Sequence, residues 1–303
     1  MSEILSIVGA GRVGKALGRC LHQLGWRVGV VVTRSIPTAR AAVRAIGAGH
    51  PTDQLTRQVL ASDVVLMATP DSVISGVAAD LAHLGGNEWR GKAVLHTSGA
   101  LNFSALQALA DAGAATGSIH PMQTFTGQSV PDLAGCVFGI DGSPAALKVA
   151  RKMIRQIGGV AVRLSGPNKA AYHAAGTIAC AHVLALLEAA TRLLMAQGFT
   201  RRQAGRALLP LTRQTLDNFE RIGPRAAWTG PMTRGDFSTL KRHAKALSSF
   251  PPEFPGAYKA VSRLAAAVLS DDSSALLQKL DGIFGPRQKG AEEKKVRKKS
   301  AAG

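Results

Sequence analysis

The sequence is poor in aromatic rings, in acids and in cysteine. Only 5% of its 303 residues are Phe, Trp or Tyr. No aromatic-basic platform for nucleic acid is evident, and no helix-turn-helix. Cysteine occurs three times, at Cys20, Cys136 and Cys180. So odd and scattered a set builds no disulfide framework and no C-x-x-C metal pair, and it suits a reducing cytoplasm. Each cysteine reads as a small buried apolar side chain. None of the eight histidines falls in an H-x-H or H-E-x-x-H pattern, so no metal site is expected. The longest apolar stretch, Ala174 to Met195, is interrupted by His182, Glu188 and Arg192. It reads as a buried helix rather than a membrane span. The N-terminus lacks a basic region followed by an apolar segment and a cleavage site, so no secretion signal is read.

Acids number 19 against 37 Lys and Arg, which leaves a net charge of +18. From Arg287 onward, seven basic and two acidic residues carry +5 of it, and +13 is spread over the body. A positive body attracts nucleic acid, a phosphorylated cofactor or an acid substrate, and charge alone does not choose among them. With 46% apolar and 18% charged residues, the chain has the makings of a core. Its length suits two domains or one large one.

The first half alternates short apolar runs with helical patterns. Strands are expected at Ile4–Val8, Val28–Thr33, Val64–Ala68, Ala93–Thr97, Gly117–His120, Cys136–Ile140 and Val160–Leu164. Helices are expected at Val13–Leu24 and Ala39–Ile46. Continuous apolar runs imply strands covered on both faces, and the alternation implies a mainly parallel, doubly wound α/β sheet. After about Ser165 the strand signals stop. Helical segments follow at Lys169–Gln197, Thr200–Ile222, Thr233–Leu247, Phe254–Leu269 and Ser273–Phe284. The expectation is a Rossmann-type domain over 1–165, an all-α domain over 166–285 and a disordered basic tail over 286–303. The break falls at Ser165-Gly166-Pro167.

Gly9-Ala10-Gly11-Arg12-Val13-Gly14 fits G-x-G-x-x-G, directly after a strand and opening a helix. Gly9 permits the tight turn, Gly11 lets a pyrophosphate approach the backbone, and Gly14 lets helix and strand pack closely. The helix start, with Arg12 and Val13, offers N–H groups and a positive dipole end. Val32-Thr33-Arg34-Ser35 lies where an NAD site wants an acid for the ribose 2′-hydroxyl. No acid is there. Arg34, with Thr33 and Ser35, favours a 2′-phosphate, so the expected cofactor is NADP(H).

Thr69-Pro70-Asp71 and His96-Thr97-Ser98-Gly99-Ala100 follow two further strands, at the sheet edge where ligands of open α/β sheets bind. Thr69, Pro70 and Ser98 are cofactor candidates, and Ser98 and Gly99 also substrate candidates. Ser98 and Asp71 serve equally as helix caps. His120 and Gln123 sit in the polar run after the next strand, where His120 can bind substrate, titrate or brace a loop. Lys169 and His173, four apart, share a helix face. Lys169 reads as an acid, a carboxylate ligand or a solvated lysine. Arg234 can grip a substrate carboxylate, and Asp236 can contact substrate or cap its helix.

These motifs, with Lys169-x-x-Tyr172-His173 and Gly230-Pro231-x-x-Arg234-Gly235-Asp236, resemble the bacterial Rossmann-like proteins bearing a domain of unknown function (DUF2520). The resemblance spans the chain to about Phe284. It places the chain among 6-phosphogluconate dehydrogenase-like proteins, beside ketopantoate reductase, pyrroline-5-carboxylate reductase and deazaflavin-dependent NADP reductases. Lys169 matches the lysine that ketopantoate reductases and hydroxyacid dehydrogenases carry on the first interdomain helix, while His173 stands where they carry asparagine. The resemblance implies an NADPH-dependent reductase of a small carbonyl acid, ketopantoate first. Lys169, helped by His173 or His120, is then the expected catalytic acid. The Ala174–Met195 helix also resembles the central dimer helix of these relatives, which implies a homodimer. The alternatives are an imine or enzyme-bound intermediate reductase, a non-catalytic NADP(H)-sensing module, and non-specific nucleic-acid binding through the tail.

Overall fold

The computed structural model describes residues 3–127, 129–164 and 168–284. The expected break at Ser165-Gly166-Pro167 and the basic tail lie outside the described residues. Two compact units are present, Met1–Val183 and Leu184–Gly303.

The first unit alternates strand and helix: β1 (Ile4–Val8), α1 (Arg12–Gln23), β2 (Arg27–Val32), α2 (Ile36–Ile46), β3 (His50–Thr52), β4 (Val64–Met67), α3 (Ile74–Gly85), β5 (Ala93–His96), α4 (Gln107–Asp111), β6 (Ala115–Pro121), β7 (Val137–Gly142), α5 (Pro144–Ile157), β8 (Val160–Arg163) and α6 (Lys169–Thr177). The strands form one sheet in the order β3-β2-β1-β4-β5-β6-β7-β8. Every pairing is parallel except β6 with β7. The fold is thus the expected α/β class, a mainly parallel sheet followed by an all-helical region.

The uninterrupted apolar strands are explained by burial on both faces. Along β4, Val64 and Leu66 pack into one core cluster, with residues of α1, α2 and α5. Val65 and Met67 pack into the other, with residues of α3. Period-2 geometry sends successive side chains to opposite faces, and both faces are dry. α5 carries its own punctuation: Ser143 caps it, Pro144 opens it, and Gly158 closes it at φ +81°.

Parallel strands share a C-terminal edge, where β1, β2, β4, β5 and β6 all end. The chain order reverses there, with β1 lying between β2 and β4.

α6 runs through a π-helical turn, Ile178–His182, into α7 (Val183–Met195). The second unit continues with α8 (Arg201–Ile222), α9 (Pro224–Ala227), α10 (Phe237–Leu247), α11 (Glu253–Leu269) and α12 (Ser273–Phe284). α8 opens on a capping box between Thr200 and Gln203. α10 starts later than its apolar pattern suggests, because Gly235 is left-handed at φ +69° and Asp236 caps Phe237 onward.

The apolar helix is a correction. No residue of α7 is buried, although a buried helix is expected from its composition. Its apolar residues surround the axis, and the chain alone covers few of them. By length and composition, Lys169–Met195 is also the one described helix suited to crossing a membrane. It carries a charged cluster, in which Arg192 and Arg201 both bond Glu188.

Gly9 and Gly25 differ in one respect. Both hold positive φ, +86° and +91°, but a Cβ on Gly9 would lie 2.6 Å from the Thr69 backbone nitrogen, whereas one on Gly25 meets nothing. Gly25→Ala is expected to cost about 1 kcal/mol from the left-handed backbone alone. Gly9→Ala is expected to cost about 3 kcal/mol, since overlap adds to the strain. Urea unfolding of the two variants measures the difference, and equal losses would remove the overlap argument.

Candidate active site

The sheet's C-terminal edge gathers the loops after β1, β4 and β5, the end of β6 and the start of α6. All belong to the first unit.

The glycine turn after β1 fits a phosphate group. Gly11 is open, with only the Ala68 carbonyl oxygen within 4.0 Å of a Cβ built there. A Cβ on Gly14 would stand 2.8 Å from the Gly9 carbonyl oxygen. α1 has no side-chain cap and no acid in its first turn, so its positive end is left for a ligand. Beside the turn, the Thr69 hydroxyl is buried with no hydrogen-bond partner among the described residues. An orphaned buried hydroxyl costs stability unless something fills it. These residues fit a dinucleotide pyrophosphate. Val13 lies on α1's first turn, half-buried, and Arg12 is exposed, its guanidinium near the Phe125 carbonyl. Pro70, exposed, leads into the short turn at Asp71.

After β2, Thr33 donates its hydroxyl to the Ser35 carbonyl at 2.9 Å, and the Ser35 and Thr38 hydroxyls bond each other at 2.9 Å. Arg34 is exposed and makes no hydrogen bond or ion pair with the described residues. The cation is free for a ligand.

The loop after β5 is over-determined. His96 Nε2 donates to the Asn102 carbonyl at 3.0 Å, and its Nδ1 accepts the Ser98 N–H at 3.2 Å. The Ser98 hydroxyl donates to Asp71 at 2.8 Å and accepts the N–H groups of Ala100 and Leu101. Every valence of that hydroxyl is used inside the protein, so the geometry supplies a brace. Lys169 reaches the same loop from α6. It is 4% exposed, and Nζ donates to the Ser98 carbonyl at 2.9 Å, the Leu101 carbonyl at 2.6 Å and the Ser118 hydroxyl at 2.8 Å. Burial lowers its pKa to about 8, against the pull of Asp141 and Asp71.

Gly99 forms the loop's apex. A Cβ there would lie 2.5 Å from the His173 ring and 2.7 Å from His120 Nε2. Only glycine lets two imidazoles pack so closely on this backbone. His120 Nδ1 is 3.0 Å from the Tyr172 hydroxyl, and its ring meets those of Tyr172 and His173 edge-on at 5.5 and 5.6 Å. Burial, then the charges of His173 and Lys169, lowers the His120 pKa to about 4, with Asp71 opposing. Burial and Lys169 do the same to His96, also about 4. Both imidazoles are neutral at neutral pH.

The first unit therefore joins Lys169, His120, His173, Ser98 and Gly99, and with them Tyr172, Asp71 and Ser118. Tyr172 and Ser118 were not singled out as site residues from sequence. Tyr172's place within the Lys169-x-x-Tyr172-His173 motif was the available signal. Gln123 is exposed, and its carbonyl oxygen accepts the Thr124 N–H. Arg234 and Asp236 belong to the second unit. Arg234 is exposed in the turn before α10, and Asp236 caps that helix through the N–H and hydroxyl of Thr239. Among the described residues, no group of three His, Cys, Asp or Glu is arranged to hold a metal ion.

A parallel sheet with a glycine turn at its switch point, followed by helices, defines a Rossmann-like class of chain. Residues 3–121 match the Rossmann-like domain, and residues 136–265 match the domain of unknown function DUF2520. The chain thus carries a match to the Rossmann-like domain followed by a match to DUF2520. No curated protein matches it. Among solved structures, it resembles protein TM1727 from Thermotoga maritima, with 23% identity, a TM-score of 0.64 and coverage of 92% of this chain and 98% of that one. A reductive aminase from Aspergillus terreus, solved with NADPH and ethyl-5-oxohexanoate, gives 18% identity, a TM-score of 0.65 and coverage of 92% and 99%. A pyrroline-5-carboxylate reductase from Coxiella burnetii gives 14%, 0.58, and coverage of 93% and 99%. At these identities the likeness is one of fold.

The two depressed imidazoles set an acid limit on stability. The unfolded chain protonates His96 and His120 near pH 6.5, the folded one near 4. Stability is full above 6.5 and is lost as pH falls from there toward 4, since the unfolded state takes up protons that the fold refuses. Urea unfolding at pH 7 and 5 is expected to lose about 1–2 kcal/mol per imidazole. His96→Asn should flatten that dependence by one group's share, and an unchanged slope would contradict the assignment.

Proposed function

We propose that the protein is an NADPH-dependent oxidoreductase that reduces a C=O or C=N bond of a small molecule. The carrying observation is the open glycine turn beside the orphaned Thr69 hydroxyl, with an unpartnered Arg34 at the end of β2. Gly9, Gly11 and Gly14 would cradle the pyrophosphate, Thr69 would border it, and Arg34 with Thr33 and Ser35 would meet the 2′-phosphate. A bound nicotinamide supplies the reducing equivalent. The chain's residues bind, orient and shield the substrate at Gly99, His120 and His173. Its three free cysteines suit a reducing cytoplasm.

The carbonyl-acid reading, ketopantoate first, asks for a cation on a carboxylate and a proton donor for the developing alkoxide. Lys169 was the expected donor, and its three N–H groups are already engaged. A C=N substrate that arrives protonated needs no such donor. That observation favours the imine reading, and the reductive aminase and pyrroline-5-carboxylate reductase folds agree with it. Following NADPH oxidation over a panel of 2-keto acids and cyclic imines tests the choice. Turnover of keto acids alone would reverse it, and NADPH binding without turnover of either class would favour the sensing module.

A second copy of the chain would cover the bare helices. Leu184 and Leu186 on α7 and Leu209, Leu211, Leu216 and Phe219 on α8 are all exposed. Light scattering should report about twice the chain's 31.5 kDa. A monomer at micromolar concentration would refute the dimer.

Arg34 sets the cofactor preference. A charge-assisted contact to the 2′-phosphate contributes about 1.5–3 kcal/mol, or about one to two decades of affinity. Arg34→Ala should weaken NADPH by that factor and leave NADH nearly unchanged, read by fluorescence titration. Equal losses for both cofactors would sink the assignment.

A further inference from the structure

We infer that Lys169 is a positioning residue rather than the acid, and that His120, held by Tyr172, presents Nε2 to the reacting atom of the substrate. The inference rests on the reductase reading above and assigns its substrate-facing group.

An ammonium has three N–H groups and no acceptor. Ser98 O, Leu101 O and Ser118 Oγ take all three, and Lys169 is buried. To serve a substrate oxygen, Nζ would have to release one of them and leave a polar group of the loop unpaired. What the three bonds achieve is mechanical. They tie the loop after β5 to β6 and to the first turn of α6.

The tied loop in turn shapes the site. Its apex, Gly99, forms the wall against which His120 Nε2 and the His173 ring lie. The other ring nitrogen, Nδ1, is taken by the Tyr172 hydroxyl at 3.0 Å. Nε2 makes no hydrogen bond to the described residues, and His173 beside it is exposed. Tyr172 is itself fixed at β7, where a Cβ on Gly139 would stand 2.6 Å from its hydroxyl. Lys169 thus sets the wall, Tyr172 sets the ring, and Nε2 is left at the opening. The charged and titratable groups around the ring are Lys169, Tyr172 and His173 from α6 and Asp71 from the turn after β4. Burial and the Lys169 charge keep the ring neutral, and with the Tyr172 O–H directed at the His120 carbonyl, Nδ1–H donates to the Tyr172 oxygen and Nε2 is left to accept a hydrogen bond from a protonated C=N substrate.

The test separates mechanics from chemistry. Hydrogen exchange on the free full-length protein reads the loop without cofactor or substrate. Lys169→Met should speed exchange at the Ala100 and Leu101 amides by about tenfold or more. It should also raise the pH at which the His120 ring titrates in histidine NMR spectra, because a neighbouring positive charge is gone. Tyr172→Phe should shift the Nδ1 resonance of His120 and leave the loop amides protected. His120→Asn should leave those amides unchanged and NADPH affinity intact, and should lower kcat by about 10²-fold on whichever panel compound is turned over fastest. Unchanged exchange in Lys169→Met overturns the positioning role. A kcat within about threefold of wild type in His120→Asn overturns the substrate contact. Should Lys169→Met fail to fold, native reductive methylation of the wild-type chain decides. Lys169 staying unmodified while exposed Lys245 reacts supports the clamp, and equal rates refute it. If NADPH does not bind, the reductase reading and the substrate contact fail together, while the exchange data still judge the clamp alone.

Discussion

A buried ammonium cannot be left short of acceptors, and much of the site follows from how Lys169 meets that demand. Its nitrogen lies among two loop carbonyls and a strand hydroxyl, drawn from residues 68 and 71 positions earlier in the loop and 51 earlier in β6. The loop cannot move without breaking a charge-assisted bond in a low-dielectric place. Around this point the other bonds are mutually consistent. His96 holds the loop's two ends, Ser98 holds its turn, and Asp71 accepts from Ser98. The apex that results is so close to two imidazoles that only glycine is tolerated there.

The electrostatics of the sheet edge divide into two parts. Toward β1 and β2, the open helix start and the free Arg34 make a positive region suited to phosphate. Toward β5 and β6, the one nearby lysine is sequestered and the imidazoles are neutral. In the proposed reductase, phosphate recognition and substrate handling would have different chemistries within one unit. The +13 on the body has little to do with the second part, since most of that charge stands on the surface.

The fold was legible wherever local chemistry was strong. Ile4–Val8 followed by glycine, a helix pattern and a β-branched strand fixes a βαβ start, because both the turn and the two-faced burial are encoded within about thirty residues. The boundaries of α12 were readable to the residue. Less was legible where signals are short or depend on distant partners. β3 has only three residues and exists because β2 offers an edge to pair with. The start of α10 depended on the left-handed Gly235, which a periodicity argument overlooks. α7 was expected to be buried because its residues are apolar, yet composition records the wish for cover and not its supply.

By itself the sequence determined the glycine turn, the missing acid after β2, the order of elements and the lysine, tyrosine and histidine on one short stretch of helix. These are local properties, set by spacing and residue type. Only the tertiary structure decided what Lys169 does with its three protons, and which nitrogen of His120 stays open. It also decided which groups the Ser98 hydroxyl bonds inside the protein. Each of those answers depends on partners 27 to 71 residues away, and hydrogen-bond capacity is spent in space, where sequence spacing gives no account of it.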